Sequence, residues 1–407
     1  MYQNAAIFAV FLLIYSAVAG RIERSWLSGP IVFIAAGLLL GPIGLGFVRL
    51  NLGAEGLRTL AELTLAMVLF TDAANADFAI VRRNIGVPER LLLIGLPLTI
   101  VLGFLAAMIV LPGLAPLETA LLAAMLAPTD AALGKPVVTN AAVPAVMREA
   151  LNIESGLNDG ICVPIVVLLL GLAVGTQLEH GTMVHAVKVV VEELGIGLVV
   201  GLGLTWLAIR MLRFAERQGW ISEHWEEIPI VALAAACFAA AQAIGGSGFI
   251  ACFVGGLLLS GLRPGHKEEL LPGAVATGEA LALLTWVAFG TGALAQIIPR
   301  LDWSSLVYAV LSLTVIRMVP VMLCLAGTGM RFADKLFVAW FGPRGLATIV
   351  FGLIVLNEKL PGNDTIIAVA GGTVLLSVLA HGVSANPLVK AIARQPAEQP
   401  VVASASE

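Results

Sequence analysis

The chain is poor in charge. Asp, Glu, Lys and Arg make up 12% of its 407 residues, against about 25% in an average soluble domain. No segment is polar enough to be cut out as a soluble domain, so a regulatory nucleotide-binding domain is not expected within this chain. The basic residues form no patch with interleaved aromatics, which argues against nucleic acid as a partner. Cys162, Cys237, Cys252 and Cys324 all fall in apolar stretches without metal-ligand spacing, so four free core thiols are expected. No Lys or Arg precedes the first apolar run, MYQNAAIFAVFLLIYSAVAG. A signal peptide wants a positive n-region, so this run is expected to be a first membrane helix.

What the chain does have is hydrophobic sequence, 59% of its residues, with a mean hydropathy of +0.97. That is the composition of a polytopic membrane protein. Crossing the hydrocarbon core takes about 20 apolar residues in a helix. Reading the apolar runs between Pro, Gly and charge breaks gives thirteen candidate spans, near 4–20, 28–47, 57–75, 90–112, 116–134, 144–175, 184–209, 227–244, 247–262, 271–298, 304–328, 334–356 and 364–390. The positive-inside rule tests that count. With the N-terminus outside, the outer side holds only Arg49, Arg58, Lys188, Arg300 and Lys359 of the 23 Lys and Arg residues. Arg317 and Arg344 fall inside spans, and all others land in inner loops or the tail. The expectation is an all-α polytopic membrane protein with 13 transmembrane helices, N-terminus outside and C-terminus cytoplasmic, in the cell (inner or plasma) membrane. Residues 1–392 are expected to form a single membrane domain and 393–407 a short disordered cytoplasmic tail.

Two runs should break. LAPTDAAL (126–133) puts Pro128 in the middle of the fifth run, followed by Thr129 and Asp130. WFGPRGLATIV (340–350) puts Gly342, Pro343 and Gly345 in the twelfth, around Arg344. Proline removes a helical hydrogen bond and clashes with the preceding turn. Irregular backbone at membrane depth is tolerated only when it is buried in protein or lines a cavity. Interrupted segments at matching places in two halves are the best sequence pointer to a transporter site. Spans 1–6 and 8–13 then read as two inverted six-helix repeats, with the seventh as connector.

The sixth run carries LNIESGLNDG (151–160), with Glu154, Ser155, Asn158 and Asp159. Ser155 and Asp159 are four apart, on one helical face that should point at the fifth-run break. Glu154 and Asn158 form the adjacent pair. A buried acid needs a partner. Arg317, in SLTVIRMVPVML, is the expected one for Glu154, and Arg344 is the competitor.

Together these motifs resemble the monovalent cation/proton antiporter family, in its NhaP-type sodium/proton branch marked by an Asn-Asp pair. APTDAAL, ESGLNDG, FGPRG and the arginine of TVIRMVP carry the resemblance, in that order, over nearly the whole chain. It implies an NhaA-like antiporter fold with crossed broken helices. It also implies a mobile ion-binding core (about 86–175 and 301–392), a scaffold that makes a homodimer (about 1–85 and 176–300), and no cofactor. Asp159 would bind the cation and the proton. Asp130, the Thr129 backbone and Ser155 would complete the shell around Na+. Asn158 would orient the site, and Glu154 would pair with an arginine. An Asn in place of a second Asp implies electroneutral exchange. The partners are a monovalent cation, protons and the lipid bilayer, and K+ in place of Na+ is the alternative. Gly156, Gly160 and Ala131 depart from the family's pattern.

Other signals are weaker. Asp72, in LFTDAANADF, either lines the inner approach or is an ordinary interfacial acid. None of the five histidines is expected to join the central motifs; His180, His185, His224 and His266 belong in or near loops. GGSG (245–248) matches the GxSG pattern of intramembrane serine proteases, with Ser247 as nucleophile and His381 as a conceivable base. A small-residue turn explains it more simply. A passive cation channel is the remaining alternative.

Overall fold

The computed structural model describes residues 2–22, 27–48, 54–75, 86–175, 183–222, 225, 227–262, 270–358 and 360–394. The expected tail from 395 onward lies outside the described residues. So do Arg24, Arg49, Arg82, Arg83, Arg263, Lys267 and Lys359 of the basic residues, and His180, His224 and His266.

Among the described residues all regular structure is helical. In chain order the helices are α1 (Tyr2–Ile22), α2 (Gly29–Leu40), α3 (Ala54–Asn75), α4 (Val87–Val110), α5 (Pro116–Met125), α6 (Ala131–Val138), α7 (Ala145–Gly175), α8 (Met183–Arg217), α9 (Ile228–Ala243), α10 (Gly248–Leu262), α11 (Pro272–Arg300), α12 (Trp303–Cys324), α13 (Phe332–Trp340), α14 (Leu346–Asn357) and α15 (Asn363–Ala393). Among the described residues, six stretches are long and apolar enough to cross a membrane: α4, α7, Val190–Arg217 of α8, α11, α12 and α15.

Some bounds differ from the apolar runs. The run 28–47 becomes helix only to Leu40, because Gly41 and Pro42 stop it. The run 184–209 continues to Arg217, because Arg210, Arg213 and Arg217 are helix-compatible and extend α8 beyond its apolar part. Arg213 there donates to the carbonyl of Leu262 at the end of α10 (2.6 Å), a basic side chain satisfying a helix C-terminus. The run 304–328 is interrupted at Thr314, whose φ and ψ of −112° and −94° are not helical.

Helix α3 lies centrally, packing on α10 and α11 and also crossing α7 and α14. Helix α7 packs against α5 and α6, and α15 packs against α12, α14 and α6. Close approaches are made at glycines. At Gly256 on α10 an added Cβ would strike the backbone of Phe70 on α3, and at Gly201 on α8 it would strike Ala251 on α10. Small residues of this kind let membrane helices approach where no hydrophobic force drives them together. The GGSG segment is a turn between α9 and α10. Gly245 has a φ of +79°, Ser247 donates its N–H to the carbonyl of Glu193, and its hydroxyl accepts from Ile250 (3.4 Å).

Candidate ion-binding site

Both interrupted segments break where proline and glycine require it. Helix α5 opens with Pro116 at its first position, where a missing N–H costs nothing. It ends at Met125, because Pro128 cannot continue it. Helix α13 ends at Trp340; Phe341 turns out at φ −78° and ψ 68°, ahead of Gly342 and Pro343. The chain then restarts as α6 and as α14. The two breaks, 126–130 and 341–345, cross each other. The N–H of Asp130 donates to the carbonyl of Pro343 (2.8 Å). The hydroxyl of Thr348 donates to the carbonyl of Met125 (3.1 Å). Each segment thus satisfies backbone groups that the other has freed, which lipid cannot do.

Asp130 sits at this crossing. Its Oδ1 accepts from the N–H of Leu133 in α6 (3.1 Å), and its Oδ2 from the N–H of Leu346 in α14 (2.7 Å). One carboxylate therefore caps two half-helices, whose N-termini carry partial positive charge. Gly345 is where the approach is closest: a Cβ there would overlap the Asp130 carboxylate.

Arg344 is fully buried in the second break. Its N–H donates to Ser377 Oγ on α15 (2.6 Å), and its Nη1 to the carbonyls of Gly342 (3.1 Å) and Pro128 (3.4 Å). It thus serves backbone carbonyls in both breaks. Glu154 is held instead by Arg317, whose Nη1 and Nη2 lie 2.5 and 2.7 Å from the two carboxylate oxygens. Gly342 leaves room for this pair, since a Cβ there would run into the Arg317 guanidinium.

Ser155 and Asn158 of α7 face the first break. The hydroxyls of Thr129 and Ser155 are 2.9 Å apart, and Asn158 Nδ2 donates to Thr129 Oγ1 (2.7 Å). Asn158 therefore works beside Ser155 as much as beside Glu154. At 100° per residue it lies about 60° from the first and about 40° from the second. Asp159 is one turn beyond Ser155 and buried, and its Oδ1 meets no hydrogen-bond donor among the described residues. A buried carboxylate oxygen left so is costly unless something else satisfies it.

Asp72 belongs to the same neighbourhood. It reaches α7 at Gly156, where a Cβ would sit 3.6 Å from its own Cβ. Asp72, Asp130 and Asp159 lie within electrostatic range of one another. Gly160 likewise makes room for the ring of Phe253 on α10. Gly156 and Gly160 of α7 are thus both places where a neighbouring side chain comes close.

Three partners were not legible in the motifs. Ser377 and Thr348 serve the breaks through single hydroxyls. Glu118, in the first turn of α5, accepts from the N–H of Ala115 (2.9 Å) and of Gly362, just before α15 (2.8 Å). The expectation that no histidine joins the central motifs is overturned. His381 Nε2 lies 2.9 Å from the carbonyl of Trp340, the last residue before FGPRG. Its other nitrogen faces Ser377 rather than Ser247, so the two protease candidates form no dyad. The signal available in the sequence was the i, i+4 polar pair Ser377 and His381 in an otherwise apolar run.

The family profile described as "Sodium/hydrogen exchanger, transmembrane" matches residues 7–391. The chain belongs to this family. Its members and structural neighbours are transporters and not enzymes. Among curated relatives, the K(+)/H(+) antiporter NhaP of Alkalimonas amylolytica is 26% identical over 95% of this chain and 67% of its own length. The K(+)/H(+) antiporter NhaP2 of Shewanella sp. (strain ANA-3) is 24% identical over 93% of this chain and 64% of its own. The chain thus spans about two thirds of the length of these relatives. Its fold is similar to that of the sodium proton antiporter MjNhaP1 from Methanocaldococcus jannaschii, with a TM-score of 0.72 at 22% identity over 97% of this chain and 99% of that one.

Proposed function

We propose that this exchanger trades a monovalent cation for protons, one for one, at a single site built around Asp159. The observation that carries the reading is the buried Asp159 Oδ1, which meets no hydrogen-bond donor among the described residues, one helical turn from Ser155, whose hydroxyl meets that of Thr129. A carboxylate, hydroxyls and the Thr129 backbone suit a hard monovalent cation such as Na+. A proton on Asp159 removes the charge that holds the cation, so the two compete. Asp130 supplies charge beside the site while its oxygens stay on the half-helix N-termini. Asn158 orients Thr129. The Glu154–Arg317 pair keeps the second α7 acid out of the exchange, which supports electroneutral stoichiometry. Asp72 lines the approach.

Obligatory exchange follows if either loaded form can cross and the empty, charged site cannot. Each interrupted pair, α5 with α6 and α13 with α14, is counted as one span. The helices then correspond to thirteen crossings and two inverted repeats, N-terminus outside, in the cell membrane. The core helices (about 86–175 and 301–392) move against a scaffold (about 1–85 and 176–300) that dimerises. K+ is the second cation to test, because the curated relatives are named K(+)/H(+) antiporters.

Proton movement driven by Na+, K+ and Li+ in everted vesicles tests this. Wild-type protein should show cation-driven proton flux, and Asp159→Asn should abolish it while still inserting. Full activity in that variant would falsify the single-site scheme. Cation conduction without proton movement would favour a passive channel.

A further inference from the structure

His381 is a buried titratable group that this exchange scheme does not use. It lies on α15, 1% exposed, with its ring stacked on Trp340 at a centroid distance of 5.0 Å. Both ring nitrogens face carbonyl oxygens. Nε2 is 2.9 Å from the carbonyl of Trp340, at the C-terminus of α13, and Nδ1 is 2.9 Å from the carbonyl of Ser377. Carbonyl oxygens only accept. A neutral imidazole has one N–H and serves one of them; the imidazolium has two and serves both. The neutral ring has a different option at Nδ1, which can accept from the Ser377 hydroxyl 3.3 Å away. That hydroxyl already accepts the N–H of Arg344 inside the second break.

The C-terminal carbonyls of α13 favour a cation at this place, and burial among apolar side chains disfavours one. The charged side chains near the ring are Arg344, in the break, and Arg317, on α12. Arg317 is offset by Glu154, with which it pairs. The other elements that meet the ring bring the Trp340 and Phe341 side chains, which are uncharged. Trp340 is fastened further to α15 by its indole N–H, which donates to Ser384 Oγ (2.9 Å).

We propose that His381 is a positioning residue for exchange: as imidazolium it ties the end of α13 to α15 through both carbonyls, and losing the Nδ1 proton hands that nitrogen to the Ser377 hydroxyl at the Arg344 N–H. The protonation of His381 thereby sets how firmly the second break is held. The break in turn presents the Leu346 N–H to Asp130. No covalent step is involved, and His381 itself touches neither cation nor transported proton.

The test compares wild type, His381→Gln and Ser377→Ala in proteoliposomes, measuring the cation concentration for half-maximal exchange from pH 5.5 to 9. The glutamine is neutral throughout. His381→Gln should raise that concentration several-fold at the acidic end and converge on wild type at the alkaline end, where the wild-type ring is neutral too. Ser377→Ala should raise it at every pH. A uniform offset for His381→Gln would make the residue a packing element only and overturn the proposal, as would superimposable profiles. This arm rests on the exchange reading. A second arm does not. Protonated histidine quenches a stacked indole, so the tryptophan fluorescence of wild type minus that of Trp340→Phe should show a pH step. Absence of the step in wild-type protein overturns the proposal whether or not the chain transports anything, and also if His381→Gln fails to insert.

Discussion

Arg317 grips Glu154 with both terminal guanidinium nitrogens, and each side chain is only 1% exposed. Two charges taken out of water in this way are held by each other, so removing one leaves the other uncompensated. Arg317→Met alone should cost about 3–5 kcal/mol of stability. Adding Glu154→Leu should recover much of it, because two apolar side chains replace the pair without leaving a charge behind. A double-mutant cycle on thermal unfolding of the purified protein measures this. Equal losses in the single and double variants would show that packing alone holds the two helices.

Ser155 offers the proposed cation a hydroxyl that also meets Thr129 at 2.9 Å. Ser155→Ala should raise the half-maximal cation concentration about tenfold, the equivalent of about 1.4 kcal/mol, with the maximal rate less affected. Cation titrations of exchange at a fixed alkaline pH give the answer. An unchanged titration would remove Ser155 from the cation shell.

Gly345 stands where a Cβ would overlap the Asp130 carboxylate. Gly345→Ala must therefore push apart the two breaks, since the obstacle is a carboxylate fixed by two backbone N–H groups. Exchange should fall at least tenfold. Gly203→Ala is the control, because nothing lies within 4 Å of a Cβ there, and helix propensity favours the alanine. Vesicle assays normalised to the amount of inserted protein compare them.

Asp302 caps α12 from outside the span. Its carboxyl is held below the usual carboxylate range, first by the hydroxyl of Ser305, then by the Ser305 N–H and the hydroxyl of Ser304. A folded-state value below the unfolded one stabilises the fold above the unfolded value, near 3.9. That contribution is lost as pH falls through the folded value. Asp302→Asn should therefore lose this charge-dependent contribution at neutral pH, keep the neutral part of the cap, and flatten the acid end of the stability profile. Asp302→Ala should lose about 1 kcal/mol at neutral pH through the missing cap. Unfolding midpoints from pH 2.5 to 7 check both.

Much of the site was visible in the residues because membranes penalise exceptions. Pro128, Pro343 and their neighbouring glycines are costly in an apolar helix, and so are Asp130, Asp159, Arg317 and Arg344 at membrane depth. Such residues stand out against the surrounding Leu, Val and Ala. Residues that act through one hydroxyl or one ring are ordinary in such runs, so Ser377, Thr348 and His381 carried no comparable signal. Glu118 sits in the first turn of a helix, where an acid is unremarkable. Nothing local in the sequence could reveal that it also accepts from Gly362, 244 positions on.

That this chain is a helical membrane protein with two interrupted segments and a cluster of buried charge can be read from its residues alone. Those properties follow from composition and from the local chemistry of proline, glycine and ionisable side chains. How the charges are shared depends on the packing of the helices in three dimensions. Two arginines were equally able to pair with Glu154 by charge. The choice went to Arg317 because α12 brings it alongside α7, where Gly342 leaves space for its guanidinium. Arg344 was left to the backbone carbonyls that the two breaks expose. The family resemblance places Asp130 in the cation shell, and spacing along the chain does not show what else its oxygens meet. The crossing of two chain segments more than 200 residues apart put both of its oxygens on half-helix N-termini, a contact that depends on three-dimensional proximity and not on spacing along the chain.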